Sequence, residues 1–242
     1  MERSVVLFDA YGTLIDLDGI HGACVKKILQ IEKTGTDPDE FHRFWDERER
    51  VNARAAAATT FKGFHNTQSL NDKSLRETFE HFGIEGDYES GVELWIEMTR
   101  RSRLFPDVRG AIDGLREEFA MGMVSNSDNY PLLQLLKREG VDFEVIVTSE
   151  TARCYKPNPR IFRWALKAMG RMANESVYVG DTPWTDFPGA RELGIMPIWI
   201  NRKGQKLGPD EPAPDLEIST LASLRKALLG KKGGSRHKGR SP

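Results

Sequence analysis

Four short stretches of the chain carry side chains that could do chemistry together. Asp9-Ala10-Tyr11-Gly12-Thr13 supplies a carboxylate, Ser125-Asn126 a hydroxyl and an amide, Lys156-Pro157 an ammonium, and Gly180-Asp181-Thr182 a second carboxylate with Asp186 close behind. A carboxylate can act as a nucleophile or hold a hard cation, and an ammonium offsets the negative charge that such work gathers. Taken singly, each stretch has a plainer reading. An Asp after a strand is often a turn former; Ser125-Asn126-Ser127-Asp128 could cap a helix; Lys156-Pro157-Asn158-Pro159 could be a solvated connection; Asp181 and Asp186 could be turn and cap residues. Their joint occurrence at successive strand ends argues for one site, because ligands of an open parallel sheet sit beyond the carboxyl ends of its strands.

The elements that must position these residues follow from the apolar pattern. Short β-branched runs at Val5–Phe8, 122–124, Val145–Thr148, 177–179 and 198–200 alternate with amphipathic helical stretches, which predicts βαβ units on a parallel sheet. The helices are punctuated at both ends: Asn129-Tyr130-Pro131 to Gly140, Asn158-Pro159 to Gly170, and Phe187-Pro188 to Gly194. Between Phe8 and the next core strand lie roughly a hundred residues, too many for one crossover. They read as helices over 21–32, 39–58, 71–82 and 87–101. The expected organisation is a core of residues 1–17 and 104–229, a helical insert at 18–103, and a basic disordered tail at 230–242.

Composition narrows the partners. With 35 Lys+Arg against 36 Asp+Glu, the chain carries a net charge of −1 and offers no basic field for nucleic acid or an anionic membrane. The five basic residues of the tail are the one exception, and a solvated tail is the simpler reading. No apolar run is long enough to span a bilayer and the N-terminus lacks a signal-peptide layout, so a cytoplasmic protein is expected. Two cysteines, Cys24 and Cys154, cannot build a disulfide framework, and neither stands in a metal-binding spacing. Trp45, Phe61, Phe64 and Trp95 are expected in the core of the insert.

The motifs also carry a family resemblance. VVLFDAYGTLID at 5–16, VSNS at 124–127, YKPNPRIF at 155–162 and VGDTPWTDFPGA at 179–190 resemble the four motifs of the haloacid dehalogenase superfamily, over about residues 4–224. The resemblance implies an α/β fold, a Rossmann-like parallel sheet flanked by helices, with the insert as an all-α cap domain. It further implies Asp9 as nucleophile, Mg²⁺ held by Asp9, the Tyr11 carbonyl and Asp181, and Asp186 ligating the ion or orienting its waters. Ser125 and the Asn126 amide would bind the transferred group, and Lys156 would offset charge on Asp9 and on the substrate.

Two branches of that superfamily compete for this sequence. Its phosphatases carry a second Asp two residues after the nucleophile, and here that position is Tyr11; DAYGTL is the form of the L-2-haloacid dehalogenases. Against this, dehalogenases replace the metal-binding Asp of the fourth motif, whereas Asp181 and Asp186 are kept. They place a Tyr six residues after the motif Lys, where this chain has Phe162, and they follow a cap Trp with an Arg. Trp45 is followed by Asp46, with Arg43, Arg48 or Arg50 as substitutes. Asp181 beside Asp9 without a cation would also be an uncompensated like-charge pair. The expectation is therefore a Mg²⁺-dependent phosphohydrolase acting on a small-molecule phosphate ester. A metal-free dehalogenase working through an aspartyl ester, or a degenerate member that binds without turnover, stays open. Asp16-Leu17-Asp18-Gly19 mimics a nucleophile motif, but no strand delivers it, and it is expected to be the hinge into the cap.

Overall fold

The computed structural model describes residues 4–59 and 61–230. In chain order the elements are β1 (Val5–Phe8), β2 (Ile15–Asp16), α1 (Ile20–Ile31), α2 (Pro38–Ala57), α3 (Thr67–Phe82), α4 (Tyr88–Arg100), β3 (Arg103–Leu104), α5 (Val108–Leu115) and β4 (Ala120–Ser125). They continue with α6 (Asn129–Glu139), β5 (Val145–Thr148), α7 (Ser149–Ala152), α8 (Pro159–Met169), β6 (Ser176–Gly180), α9 (Pro183–Glu192), β7 (Met196–Ile200), β8 (Leu216–Ile218) and α10 (Leu224–Gly230). Apart from Gly230, the expected basic tail lies outside the described residues.

The main sheet has the order β5-β4-β1-β6-β7-β8, every neighbouring pair parallel. Its central strand β1 is apolar at all four positions because both of its faces are covered. Val6 and Phe8 pack with Val108, Ile112 and Leu115 of α5 and with Leu132, Leu135 and Leu136 of α6. Val5 and Leu7 face the opposite side, among Ile161, Phe162 and Ala165 of α8. Each such fully buried side chain contributes about 1.5–3 kcal/mol. Phe8 stands opposite Met123 and Val179, so the chain leaves β1, β4 and β6 side by side, with Asp9, Ser125 and Asp181 at or just past the strand ends.

Helices α1 to α4 form an inserted all-helical cap with a core of its own, built on Cys24, Val25, Ile28, Phe41, Trp45, Leu75, Phe79 and Val92. The chain enters through β2 and returns through β3, which pair antiparallel as Ile15 with Leu104 and Asp16 with Arg103. Both crossings therefore run side by side. Asp37 caps α2 by accepting from the Asp39 and Glu40 amides, with Pro38 at the first helical position, and Asp87 caps α4 by accepting from the Ser90 amide.

Some elements differ from the sequence expectation, each for a local reason. Helix α3 begins at Thr67 rather than 71 because Asn66 accepts from the Ser69 amide, while Asp128 of the core accepts from the Thr67 and Gln68 amides. Helix α9 begins at Pro183, not at Pro188, which lies inside it. Of two prolines able to start the helix, the earlier one does so, and Pro188, at the sixth helical position, gives up one intrahelical N–H bond. Strands β2, β3 and β8 are too short to show an alternating pattern. Both cysteines are free and buried. No helix among the described residues is long and apolar enough to cross a membrane.

Candidate active site

The site forms where β1, β4 and β6 end. Asp9 leaves β1 almost fully buried, its amide donating to the Val179 carbonyl of the neighbouring strand. Lys156 is brought in from the loop between α7 and α8, also buried, and its ammonium lies 2.6 Å from Asp9 Oδ1, 2.6 Å from Asp186 Oδ1 and 2.8 Å from the Tyr178 hydroxyl. That arrangement uses all three donors of the ammonium. Burial alone would lower the Lys156 pKa, but the charges of Asp186 and Asp9 hold it above its ordinary value. Asp186 accepts on its other oxygen from the Thr182 amide, so both its oxygens are engaged. The Tyr178 hydroxyl donates onward to the Val124 carbonyl.

Asp9 is pushed up to about 6 by burial, with Asp186 adding to the rise and Lys156 opposing it. Asp181 is driven well above the ordinary carboxylate range, first by burial and then by the charges of Asp9 and Asp186. Thr13 Oγ1 stands 3.5 Å from Asp9 Oδ2 and 3.4 Å from Asp181 Oδ1, bridging the two acids. Gly12 lets them approach: its φ is +78°, and a Cβ there would run into the Asp181 carboxyl group. Carboxylate oxygens of Asp9, Asp181 and Asp186 lie within 4.8 Å of one another, and such an all-oxygen set could coordinate a hard divalent cation.

Ser125 is buried at the end of β4, and its hydroxyl has no hydrogen-bond partner among the described residues. A buried hydroxyl left unpaired beside a reactive carboxylate is available to a ligand. Asn126 is engaged differently from expectation: its side-chain amide pairs with the main chain of Lys156, accepting from the amide at 2.7 Å and donating to the carbonyl at 3.3 Å. It positions Lys156. Tyr11 lies between the core and the cap, with its phenol pushed above its ordinary range by burial and then by Asp9 and Asp128. A cavity of about 460 Å³ opens beyond Tyr11, walled by Asn126 and Tyr155 of the core and by Glu49, Asn66 and Trp95 of the cap.

The expected cap residues are arranged otherwise. Trp45 is cap core, as expected, and Trp95 packs against that core while also lining the cavity; Phe61 is exposed. None of Arg43, Arg48 and Arg50 lines the cavity: Arg48 faces Glu77 and Arg50 pairs with Asp46. Asp16 folds its carboxylate back on the Asp18 amide, and Asp18 pairs with Lys203. Sequence reasoning missed Tyr178, Thr13 and Glu49. A hydroxyl inside an otherwise apolar strand, as in VYVGD, was a usable signal for Tyr178, since a buried phenol needs a partner. Nothing in the sequence pointed to Glu49.

The fold, the cap and this cluster define a class, and the chain belongs to the haloacid dehalogenase-like hydrolases, whose family profile matches residues 4–194. It is a hydrolase of that superfamily, acting on a small molecule through an aspartate nucleophile. Among proteins of known activity it is similar to haloacetate dehalogenase H-2 of Moraxella sp. (strain B), 27% identical over 222 residues that cover 90% of this chain and 95% of that one. The phosphoserine phosphatase of Thermus thermophilus is 32% identical over 165 residues, 64% of each chain. In three dimensions the chain is similar to L-2-haloacid dehalogenase RSc1362, with a TM-score of 0.80, 22% identity, and coverage of 95% of this chain and 100% of the other. The expected preference for a phosphatase is thereby overturned: curated relatives matched along nine-tenths of the chain, such as haloacetate dehalogenase H-2, are dehalogenases. The charge gathered around Asp9 is partly compensated inside the protein, because Lys156 pairs with both Asp9 and Asp186.

Proposed function

We propose that the chain is a dehalogenase, in which Asp9 displaces halide from a saturated carbon of a small organohalogen and forms an aspartyl ester that water then cleaves. The observation that carries this reading is Tyr11. A phosphate monoester with an alkoxide leaving group needs a proton donor, and a buried phenol held above its ordinary pKa is a poor one at neutral pH. Halide departs without a proton. The near-full-length likeness to a haloacetate dehalogenase supports the same choice.

In the first step an Asp9 oxygen donates an electron pair to carbon as the carbon–halogen bond breaks, and halide leaves with that bond's electrons. Oδ1 is tied to Lys156, which leaves Oδ2, 3.5 Å from the Thr13 hydroxyl, as the attacking atom. Ester formation removes the Asp9 charge. That charge is one of the causes that raise the Asp181 pKa, so its loss in the ester favours ionised Asp181. Ionised Asp181 then takes a proton from the water that attacks the ester carbonyl, which regenerates the Asp9 carboxylate and releases an alcohol. Lys156 and the Tyr178 hydroxyl keep Asp9 oriented throughout. A divalent cation such as Mg²⁺ at Asp9, Asp181 and Asp186 would supply positive charge to oxygen-borne negative charge on a substrate.

The test is halide release from a panel of short 2-halo acids, 2-halo amides and haloalkylamines, measured with a chelator and with added Mg²⁺. Halide release that persists in the chelator is expected. Release of halide from no member of the panel overturns the reading, and release only with Mg²⁺ makes the ion a working part of the site.

A further inference from the structure

The wall of the cavity beyond Tyr11 has a charge pattern that does not suit a carboxylate substrate. Its charged residues are Glu49, Asp128 and Glu150, with no Lys or Arg among them. Two of these acids are already used inside the protein: Asp128 accepts from the Thr67 and Gln68 amides, and Glu150 accepts from the Asn129 amide. Glu49 makes no hydrogen bond or ion pair among the described residues. Of the two groups whose charge opposes it, His21 is paired to Asp46 at 3.1 Å and Arg50 to the same carboxylate at 3.4 Å.

Glu49 also stands at a junction. A second cavity runs from Asp181 and Trp199 past His21, and Tyr11, Leu17, Glu49 and Trp95 line both spaces. The cations of this second cavity have partners of their own, Arg202 with Asp107 and the Thr13 carbonyl, although its Nε is unpaired among the described residues, and Lys203 with Asp18 of the same cavity wall. Two aromatic rings and a carboxylate without a partner thus border the opening above the Asp9–Asp181 cluster. Aromatic faces together with a carboxylate make an environment that selects an ammonium ion, through the ring quadrupoles and one charge-assisted hydrogen bond. A carboxylate in the first cavity would meet three acids and no Lys or Arg.

We propose that the junction walled by Tyr11, Trp95 and Glu49 receives a protonated amine, so that the substrate carries positive charge at the end remote from the carbon that Asp9 attacks. For the identity of the reacting end this rests on the dehalogenase reading above; the amine site itself does not. Burial holds the free Glu49 carboxyl up to about 7, as expected for an acid whose partner arrives with the ligand.

Calorimetry on the Asp9→Asn protein, with propylammonium, propionamide and propionate as non-reacting probes, tests the site apart from the chemistry. Propylammonium binds at least roughly tenfold more tightly than propionate, Glu49→Gln removes that preference without lowering the melting temperature, and Trp95→Leu weakens propylammonium binding several-fold. Equal or tighter binding of propionate, undetectable binding of propylammonium at millimolar concentration, or a preference unchanged in both variants overturns the proposal. Chloride release by the unaltered enzyme from 3-chloropropylamine and 2-chloropropionate separates the two ideas. A retained amine preference in binding, with chloride released from neither compound, refutes the dehalogenase reading and leaves the amine site standing; faster release from 2-chloropropionate refutes the amine site alone.

Discussion

Lys156 holds Asp9 and Asp186 at 2.6 Å each inside the protein, and removing one member of a buried ion-pair cluster leaves the others uncompensated. Lys156→Met is expected to cost about 3–5 kcal/mol at neutral pH in urea unfolding. Asp9→Asn keeps the shape and one oxygen acceptor for the ammonium, so it should leave the melting temperature within a few degrees while lowering halide release by roughly 10³-fold or more. The raised pKa of Asp9 has a definite sign in both rate and stability. Attack needs the carboxylate, so kcat/KM rises with pH through about 6 and then levels off. For stability the protonated form is the favoured one in the fold, and its contribution is present below the ordinary value of 3.8 and lost as pH rises through about 6. A flat pH–rate profile between 5 and 8, measured on the scale of about one unit either side of that midpoint, would show that Asp9 is not the titrating nucleophile. At this scale Asp9 and Asp181 were legible because they follow strand ends directly, whereas Lys156, in the loop after α7, and Asp186, inside α9, were legible only through the motifs around them. Tyr178, Thr13 and Glu49 were not, because what distinguishes them is a partner, or the want of one, far away in the sequence.

The helices were legible where caps and prolines mark them, as at Asp37-Pro38 and Asn158-Pro159. They were misread where the start depends on the other domain, as in α3, whose first amides donate to Asp128 of the core. The two-residue strands β2 and β3 escaped detection altogether, although they join the two halves of the molecule. A second element-level joint lies beside them. Arg138 of α6 donates to the carbonyls of Arg100 and Ser102, at the point where the chain leaves the cap. Arg138→Ala should speed amide hydrogen exchange across residues 100–104 and raise KM more than it lowers kcat, while changing global stability by only about 1 kcal/mol. Exchange unchanged at 100–104 would mean that β2 and β3 hold the crossing without that help.

For the whole molecule, the division into a sheet core and a helical insert followed from roughly a hundred helix-patterned residues after the first strand, and the parallel sheet carries its chemistry at one end. Branch was harder to read than architecture. Asp181 and Asp186 look like metal ligands in sequence; in the fold they and Asp9 form an all-oxygen set that could coordinate a cation, and Asp186 is also a lysine partner. The second role is not visible until Lys156 is placed beside the strand ends. The claim on which the rest depends is that Asp9 becomes covalently bonded to the substrate carbon and is released by water. Turnover in H₂¹⁸O with enzyme in excess over organohalogen, followed by mass spectrometry of the peptide that contains Asp9, decides it. Attack of water on the aspartyl carbonyl puts the heavy oxygen into the Asp9 carboxylate and leaves the first-turnover alcohol unlabelled; an unlabelled Asp9 with the label in the alcohol would mean that water displaces the halide directly.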